Sequence, residues 1–261
     1  MKVKILERKG PVLRFLLEGT DPAFANSLRR IMITEVPTLA VQWADFHENN
    51  SAMFDEILAH RLGLVPLKFN PKKFVFTQDC DCEGKGCPSC QVTLALEKHG
   101  PCIVTAGDMK SSDKSVSPAD PRVPLVELLE NQGVKFTAVA RLGLGIDNAR
   151  HHAAMASFQY YPEIKAGSKA EFQKAVRACP KGIVEYKGGK LSITDPARCD
   201  LCRKCMEEAK DVTLAADEKR IIFSVDSVSG LEPEYIVSAA AAILEKKAEG
   251  FKKELSALAL K

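Results

Sequence analysis

The sequence predicts an α+β fold that combines many short β-strands with a few helices. Apolar and polar residues alternate in several segments, for example in RIIFSVDSVSG at 220–230, and this period of two is typical of strands. Apolar residues recur at helical spacing in two further segments, one near the start and one at the end of the chain. Cysteines are concentrated in two separate stretches, which predicts two small metal-stabilised parts within this fold.

The composition is that of an ordinary globular protein of one large or two modest domains. The chain has 261 residues, of which 46% are hydrophobic and 27% are charged. Its net charge of +3 is too small to predict nucleic-acid binding by itself. The sequence shows neither a long apolar run nor a secretory signal, so a cytoplasmic location and no membrane contact are predicted. Because the cytosol keeps thiols reduced, the nine cysteines are interpreted as metal ligands rather than disulfides.

The start of the chain predicts two strands followed by a helix. The first 20 residues alternate in polarity on either side of a turn at Lys9-Gly10-Pro11. The next segment, TDPAFANSLRRIMITEV, predicts a helix that Asp21 can cap, with Pro22 at the first helical position and Pro37 beyond its end. Three apolar residues of this helix fall on one face: Phe24, Leu28 and Ile31.

The middle of the chain predicts a succession of strands with two short helices. Strands are predicted in LAVQW, LVPLKF, QVTLALEKHG, CIVTAGDMK, KFTAVARL and FQYYPEIK. We expect QVTLALEKHG and CIVTAGDMK to lie on either side of a hairpin. Helices are predicted in FDEILAHRL, which Gly63 would end, and in LVELLENQG. Residues 108–121, DMKSSDKSVSPADP, are predicted to form a polar surface loop.

The last part of the chain predicts a small insertion, a strand and one long helix. The insertion at 164–213 contains four cysteines with glycine-rich and lysine-rich turns between them. The helix, PEYIVSAAAAILEKKAEGFKKELSALAL, would be roughly 40 Å long at 1.5 Å per residue. It carries an apolar stripe of six residues: Ile236, Ala240, Ile243, Phe251, Leu255 and Leu258. From the spacing alone, this stripe packs either on another subunit or on its own domain.

Residues ARCDLCRKCMEEAK at 197–210 carry three cysteines at the C-x2-C-x2-C spacing of a bacterial ferredoxin. The ferredoxin run closes with a fourth cysteine and a proline, but Ala209 and Lys210 stand in those places. Cys179 precedes Pro180 upstream, and in two-cluster ferredoxins the last cysteine of one run ligates the other cluster. The sequence therefore predicts one [4Fe-4S] cluster, with a four-cysteine zinc site as the alternative. The predicted ligands are Cys179, Cys199, Cys202 and Cys205.

Residues DCDCEGKGCPSC at 79–90 hold four more cysteines in the pattern C-x-C-x4-C-x2-C. Gly84, Gly86 and Pro88 allow tight turns between them. Four thiolates this close in sequence predict a closed tetrahedral zinc site that supports folding, because no coordination position is left open for catalysis. An iron site, or a loop with a redox disulfide or no metal, is the alternative. The predicted ligands are Cys80, Cys82, Cys87 and Cys90. Cys102 is left over, and we expect it to be buried and inert.

The sequence contains no motif of a catalytic centre. It has no phosphate-binding G-x4-G-K-[ST] loop, no G-x-S-x-G and no H-E-x-x-H. Gly143-x-Gly145 is interpreted as a turn, since Asn148 occupies the place of a third glycine. His151 and His152 lack a third ligand at helical spacing, and are interpreted as a polar surface pair.

Several stretches together resemble the alpha-type assembly subunits of RNA polymerase. FANSLRRIMITEVPTLAV resembles the N-x-L-R-R helix of that family, and EILAHRLGLVPL is similar to the signature that follows it in the archaeal and eukaryotic branch. RLGLGIDNARHHAAMASFQY resembles a later block that contacts the second-largest polymerase subunit. SVDSVSGLEPEYIVSAAAAILEKK is similar to the strand and helix that close the dimerisation domain. With the ferredoxin-like insertion, nearly the whole chain resembles the archaeal members of this family.

The resemblance implies an RNA polymerase alpha-like dimerisation domain that is discontinuous in sequence, formed by residues 1–42 and 214–261. Residues 43–163 would form a β-rich insert domain that contains the zinc loop at 80–90. Residues 164–213 would form a small ferredoxin-like iron–sulfur domain.

The resemblance also implies a non-catalytic scaffold within archaeal DNA-directed RNA polymerase, a nucleotidyltransferase whose chemistry takes place on its large subunits. This chain would form a heterodimer with the small subunit L, and the pair would dock the large subunits and the small subunits N and P. DNA would be contacted only indirectly. Eight residues are expected at subunit interfaces: Phe24, Leu28, Arg29, Arg30, Ile31, Ile243, Phe251 and Leu255. For Arg29 and Arg30 the alternative is a solvated helix surface, and His60 and Arg61 would serve interfaces or internal ion pairs.

Members of the family carry two clusters, one or none, and this chain matches the form with one. It departs from the two-cluster pattern at Ala209 and over 165–178, where no cysteine precedes Cys179. If Cys179 is not a ligand, a [3Fe-4S] cluster on the other three cysteines is implied. The loop at 80–90 resembles the zinc loop of the eukaryotic counterpart. The alternative function is a ferredoxin-type electron-transfer protein, which would not need the alpha-type blocks outside 164–213.

Overall fold

The computed structural model describes residues 1–166 and 171–259. These residues form two compact units, each built from two separate stretches of chain. The units are 1–29 with 156–225, and 30–155 with 226–261. Within the described residues, no helix combines the length and the apolarity that crossing a membrane requires.

Strands and helices alternate irregularly along the chain. The strands are β1 (Lys2–Lys9), β2 (Val12–Glu18), β3 (Thr38–Asn49), β4 (Leu67–Lys68), β5 (Gln91–His99), β6 (Cys102–Thr105), β7 (Lys110–Ser111), β8 (Ser117–Pro118), β9 (Pro124–Leu128), β10 (Gly133–Gly143), β11 (Ala154–Ala166), β12 (Val184–Lys187), β13 (Lys190–Ile193) and β14 (Val212–Ser227). The α-helices are α1 (Pro22–Thr34), α2 (Asp55–Gly63), α3 (Phe172–Ala178), α4 (Lys204–Glu208) and α5 (Pro233–Ala259). This mixture of helices and strands is the one that the α+β prediction requires.

The first unit contains a four-stranded sheet with the strand order β1-β2-β14-β11. β1 and β2 form the antiparallel hairpin predicted for the start of the chain, and Gly10 lies in its turn at a φ of 54°. The ring of Phe223 lies 5.1 Å from that of Phe15 and 5.6 Å from that of Phe158, measured between centroids. Because side chains of a strand alternate between faces, these aromatic residues gather on one face of the sheet and fill its core.

The first unit also contains a small part with a hydrophobic core of its own. It consists of α3, α4 and the hairpin of β12 and β13, which turns at Gly188 and Gly189, both with positive φ. Its buried core residues are Phe172, Ala175, Val184, Leu191, Cys205, Ala209 and Val212. Ala209 therefore contributes to apolar packing at the position where a ferredoxin run would have its fourth cysteine.

The second unit is built around a sheet with the strand order β3-β10-β5-β7. β10 is antiparallel to both β3 and β5, so it is a central strand. Two small two-stranded sheets, β4 with β8 and β6 with β9, and the helix α2 complete its core. Large side chains that are almost wholly buried there are Leu58, Leu62, Leu67, Leu94, Leu125, Leu128 and Phe136.

Both long helices that the sequence predicts are present. The carboxylate of Asp21 accepts a hydrogen bond of 2.7 Å from the backbone N–H of Phe24, so the predicted cap at the start of α1 is confirmed. α5 has 27 residues and is therefore about 40 Å long. Lys247 of α5 forms an ion pair of 2.6 Å with Glu35, just beyond the end of α1.

Three predictions for the middle of the chain were wrong. LVELLENQG is not a helix, because its first half is strand β9, which pairs with β6 and buries Leu125, Val126 and Leu128. β5 and β6 do not form a hairpin, since β5 pairs with β10 and β7 while β6 pairs with β9. The polar segment 108–121 is not all loop, because it supplies the two-residue strands β7 and β8. In each case a partner distant in sequence outweighed the local pattern.

Candidate metal centres and subunit interface

The first candidate metal centre lies in the second unit, in the loop that leads into β5. The Sγ atoms of Cys80 and Cys87 are 3.5 Å apart, those of Cys82 and Cys90 are 3.6 Å apart, and all four lie within 4.8 Å of one another. Among the described residues, this is the one group of three or more metal-ligand side chains whose donor atoms converge so closely.

The local sequence explains why these four thiols converge. A short 3-10 turn at Thr77–Asp79 runs directly into Cys80, and Cys90 comes directly before β5. Gly84 and Gly86 both have positive φ, at 81° and 86°, which lets the chain reverse between the two cysteine pairs. The tight turn at the end of the loop is closed by the backbone N–H of Cys90, which donates to the carbonyl of Cys87 at 3.0 Å.

The thiols of this loop share protons with one another. Burial raises the pKa of Cys82, but hydrogen bonds from the Cys80 thiol and the Gly86 backbone lower it to about 6. A backbone hydrogen bond at Cys82 lowers the pKa of Cys80, whereas proton sharing with the Cys87 and Cys82 thiols raises it to about 12. A divalent cation replaces such protons when it binds, because only thiolates are ligands. The four cysteines therefore have the donors and the spacing to hold one metal ion.

The second candidate metal centre lies in the first unit. Four cysteines line one small cavity: Cys179, Cys199, Cys202 and Cys205. The other walls are mostly apolar and are formed by Ile164, Pro180, Ile183, Val184, Ile193 and Leu214, together with Lys181 and Asp200. The structure thus brings together the four cysteines that the sequence assigned to one cluster.

Three separate elements deliver these four cysteines. Cys179 follows the last residue of α3, Cys199 follows a short 3-10 turn at Pro196–Arg198, and Cys205 is part of α4. Leu201 and Arg203 have positive φ, at 56° and 64°, so the backbone reverses twice between the cysteines. This reversal points Cys199, Cys202 and Cys205 towards the same cavity.

The loop that carries Cys199 is held by a side chain from β11. The Nε2 of Gln159 lies 3.1 Å from the carbonyl oxygen of Pro196 and 3.2 Å from that of Cys199, and it can donate to both. Lys181 and Asp200 form an ion pair of 2.9 Å at the edge of the cavity. The sequence analysis did not identify Gln159, because a lone glutamine in a strand carries no pattern.

Exposure differs among the cysteines of the second centre. Cys202 is exposed, whereas Cys205 has 7% relative exposure. Burial raises the pKa of Cys199 and of Cys205, and the charges of the neighbouring thiolates raise it further. A bound cation would offset both effects, because it stabilises the thiolate form.

The eight predicted interface residues fall into three classes, which are buried, half-buried and exposed. Leu28 and Ile31 of α1 have 4% exposure each, so they are buried within this chain, and Phe24 is half-buried. Arg30 is exposed, while the guanidinium of Arg29 donates to Asn26 of the same helix at 2.9 Å.

The apolar stripe of α5 changes its surroundings along the helix. Ile236 and Ala240 have 0% exposure and Ile243 is half-buried. Phe251 and Leu255 are exposed to 68% and 55%, and Leu258 to 70%. The stripe is therefore covered in the first half of α5 and open in the second half.

Two minor predictions about single residues, His151 and Cys102, were wrong. His151 is not on the surface, since it has 2% exposure and its Nδ1 donates to the carbonyl of Thr38 at 3.1 Å. Burial lowers its pKa, so this imidazole stays neutral at pH 7. The turn predicted at Gly143-x-Gly145 is present, since Gly143 ends β10 and Gly145 lies in the turn that the Asp147 N–H closes on the carbonyl of Leu144 at 3.1 Å. Cys102 is only half-buried.

The second unit also has an open cleft of about 630 Å³ beside the first cysteine loop, which the sequence analysis missed. Arg141 stacks on the indole of Trp43 there, with its guanidinium carbon 4.4 Å from the ring centroid. A Trp and an Arg that lie far apart in sequence give no signal of this contact.

Comparison with known proteins places both units in one family. Residues 14–248 match the model of the RNA polymerase Rpb3/Rpb11 dimerisation domain. DNA-directed RNA polymerase subunit Rpo3 of Methanosarcina acetivorans is 36% identical over 255 residues, covering 95% of this chain and 96% of the relative. The Rpo3 of Thermococcus kodakarensis is 36% identical over 263 residues, covering 99% of both chains.

A eukaryotic relative is also similar over almost its whole length. DNA-directed RNA polymerase II subunit rpb3 of Dictyostelium discoideum is 34% identical over 278 residues, covering 94% of this chain and 92% of the relative. None of these three relatives is named as an electron carrier, so the ferredoxin-type alternative gains no support. The match over residues 14–248 and the end-to-end similarity to Rpo3 proteins establish that the chain belongs to the RNA polymerase Rpb3/Rpb11 dimerisation-domain family.

Proposed function

We propose that this chain is a non-catalytic assembly subunit of an archaeal-type DNA-directed RNA polymerase. The observation that carries this proposal is the match of the whole chain to Rpo3 subunits, with 99% of both chains aligned in one case. The sequence offers no catalytic motif of its own, which agrees with a role in organising other subunits. In this proposal the nucleotidyl transfer takes place on the large subunits, in the cytoplasm, and this chain contacts DNA only indirectly.

The open half of α5 supports pairing with a second alpha-type chain, the small subunit L of the resemblance. Phe251, Leu255 and Leu258 recur at helical spacing and together form an exposed apolar stripe. Burying each of these side chains contributes about 1.5–3 kcal/mol. An amphipathic helix of the partner is the element that covers such a stripe.

Within this proposal, the residues of α1 act in two ways. Leu28 and Ile31 fix the helix from inside the chain, since 4% exposure leaves them almost no area to offer a partner. Arg30 and the half-buried Phe24 and Arg29 remain accessible on α1 and are the predicted contacts.

A second exposed apolar group supports the docking of further subunits. Phe54, Ile57 and Leu64, in and next to α2, are exposed to 78%, 53% and 54%. Exposed apolar patches of this kind mark sites of protein–protein contact. We assign this group to the large subunits or to the small subunits N and P. The division into a dimerisation domain (1–42 and 214–261), an insert domain (43–163) and a ferredoxin-like domain (164–213) remains part of the proposal.

We assign zinc to the loop at 80–90. Four thiolates around one point fit the tetrahedral geometry of a structural zinc ion, and no ligand position is left for a substrate. In this loop, zinc would supply folding free energy by joining Cys80 and Cys82 to Cys87 and Cys90. The chain reverses at Gly84 and Gly86 between these two pairs.

We assign one [4Fe-4S] cluster to the cavity lined by Cys179, Cys199, Cys202 and Cys205. A cluster is larger than one ion, and these four thiols line one cavity without all lying within 4.8 Å of one another. The Cys179→Ser substitution tests its form. If wild type and variant both retain about three irons, Cys179 is not a ligand and a [3Fe-4S] cluster is assigned to the remaining three cysteines, whereas loss of iron relative to the wild type supports four ligands.

The experiment that tests the assembly role compares two double variants of the tagged full-length chain in its own cells. Phe251→Asp with Leu255→Asp places two charges in the open stripe of α5. Ile103→Asp with Leu129→Asp is the matched control, since these residues are also exposed, to 61% and 59%, but belong to β6 and to the position after β9 and not to α1 or α5. Native mass spectrometry of the purified material reports which subunits accompany each variant.

We expect the wild type and the control to arrive with a small alpha-type chain and the large polymerase subunits. The α5 variant should lose the small chain, since about 3 kcal/mol of lost burial weakens pairing by more than 100-fold. A wild-type chain that arrives without any polymerase subunit would overturn the proposed function. If the α5 variant still pairs with the small chain, the open stripe of α5 is not part of the interface.

A further inference from the structure

The cleft of the second unit lies directly against the loop of the four cysteines. The 3-10 turn at Thr77–Asp79 forms one of its walls and continues into Cys80. Trp43 of β3 and Arg141 of β10 form another wall. The cleft thus reaches Asp79, the residue directly before the first cysteine of the loop.

Trp43 and Arg141 form the central contact of this wall. The guanidinium carbon of Arg141 is 4.4 Å from the centroid of the indole ring, a distance typical of cation–π stacking. Trp43 nevertheless keeps 40% exposure, so one part of the ring faces the cleft. It is the single tryptophan of the chain, and its fluorescence therefore reports on this wall alone.

Arg141 is held over the ring by Gln91, its register partner on β5. The Oε1 of Gln91 accepts hydrogen bonds from Nη2 and Nε of Arg141, at 2.7 and 3.1 Å. Gln91 directly follows Cys90. The side chain that orients Arg141 is thus attached to the backbone of a predicted metal ligand.

The other side of Gln91 is held by the cysteine loop itself. A Cβ on Gly86 would lie 2.5 Å from Nε2 of Gln91, so the backbone of Gly86 lies directly against the Gln91 amide. Gly86 precedes Cys87 and has a positive φ of 86°. The position of this loop therefore limits where the Gln91 amide can go.

We propose that metal occupancy of the four-cysteine loop sets the position of Arg141 over Trp43, and through it the shape of the cleft. Gln91 is the positioning residue that connects the two. Without a metal the Cys80–Cys82 and Cys87–Cys90 halves of the loop are no longer joined, so Gly86 releases the Gln91 amide and Arg141 leaves the indole. This inference rests on the proposed metal site, and metal content is measured alongside every readout.

The first test uses acrylamide quenching of Trp43 in the zinc-loaded full-length chain, before and after removal of zinc by a chelator. We expect the quenching constant to rise on zinc removal, but by no more than about 2.5-fold, because the indole already has 40% exposure. Unchanged quenching after zinc has left would overturn the coupling while leaving the metal site intact. A chain that binds no zinc would overturn the metal site and the coupling together.

The second test compares variants that are already in the zinc-loaded state and therefore separates coupling from unfolding. Gln91→Leu keeps all four cysteines, so it should retain one zinc. Its quenching constant should already be high in the zinc-loaded state and should respond weakly to zinc removal. Gln173→Leu is the matched control, since Gln173 is exposed on α3 in the other unit, and it should behave as the wild type.

A third variant separates the stacking from the charge. Arg141→Lys keeps the positive charge but loses the planar, two-donor geometry that contacts both Gln91 and the indole. It should reproduce the high quenching of Gln91→Leu, whereas Arg122→Lys, at an exposed arginine paired with Asp120, should not. Wild-type quenching in zinc-loaded Gln91→Leu and Arg141→Lys would overturn the proposal.

Discussion

Each of the two cysteine centres has four thiol side chains, but the two centres arrange them in opposite ways. In the loop at 80–90, four thiols from one short stretch meet within 4.8 Å of one another. In the other unit, four thiols from three separate elements line a small, mostly apolar cavity. The number of cysteines therefore does not define the type of centre. Four cysteines from one loop converge on a single point, whereas four cysteines from separate elements line a cavity.

The residues that support the two centres differ in the same way, since those of the first centre are close in sequence and that of the second is distant. The first centre is supported by Gly86 of its own loop and by Gln91, the residue that directly follows the loop. The second depends on Gln159 of β11, 40 residues away from Cys199 in sequence. A centre held by a short loop can form locally, whereas a centre held by distant strands requires the surrounding unit to be folded.

Crossed ligand substitutions test this comparison with the largest expected effect. Cys90→Ser should abolish zinc binding and leave iron and sulfide unchanged, while Cys205→Ser should do the reverse. Structural zinc contributes roughly 10–16 kcal/mol in small zinc-binding peptides, so loss of one of four ligands is severe. Elemental analysis of the purified variants measures both metals together. If either substitution removes both metals, the two centres are not independent.

Gln159→Leu sharpens the contrast between local and distant support. Loss of an outer hydrogen bond to a metal-binding loop typically weakens metal retention about 10–100-fold. We therefore expect faster loss of iron to a chelator and no change in zinc retention. Gln173→Leu serves as the control, since this glutamine lies on the exposed surface of α3. Equal iron loss from both variants would argue against a supporting role for Gln159.

Two glycine substitutions separate backbone conformation from side-chain contact in the zinc loop. Gly84 and Gly86 have φ values of 81° and 86°, but a Cβ on Gly84 meets nothing within 4 Å, while one on Gly86 would meet Gln91. Gly84→Ala should weaken zinc binding by about 1–2 kcal/mol, which is the penalty for an alanine in the left-handed conformation. Gly86→Ala should weaken zinc binding by more than Gly84→Ala does, and it should also raise the quenching constant of Trp43. Equal losses of zinc affinity in a competition titration would show that the Gln91 contact is not used.

The smallest effect concerns an ion pair near the zinc loop. The Lys73 ammonium, 2.5 Å away, and hydrogen bonds from Ser115 lower the pKa of Asp113 to about 2. A lowered carboxyl pKa stabilises the fold above the unfolded value of about 3.9, and this contribution disappears as the pH falls towards 2. Wild type minus Asp113→Asn, measured as the free energy of unfolding, should therefore shrink from pH 5 to pH 2. If this difference in the free energy of unfolding stays constant from pH 5 to pH 2, the ion pair does not stabilise the fold.

Local patterns in the sequence predicted the helices α1, α2 and α5, the opening hairpin and both cysteine groups. They failed for LVELLENQG, where β9 pairs with β6, and for the expected hairpin between β5 and β6. Both errors involve strands whose partners lie outside the window of the pattern. His151 was missed for a related reason, since its burial depends on Thr38, 113 residues away.

The sequence by itself determined which residues can bind metals and which helix faces are apolar, because ligand spacing and the helical period are local properties. Only the tertiary structure decided that one cysteine group converges and the other surrounds a cavity, and that the stripe of α5 is covered at Ile236 but open at Phe251. It alone brought Gln91, Arg141 and Trp43 into contact. Burial and convergence depend on which distant segments pack together, and no local pattern contains that information.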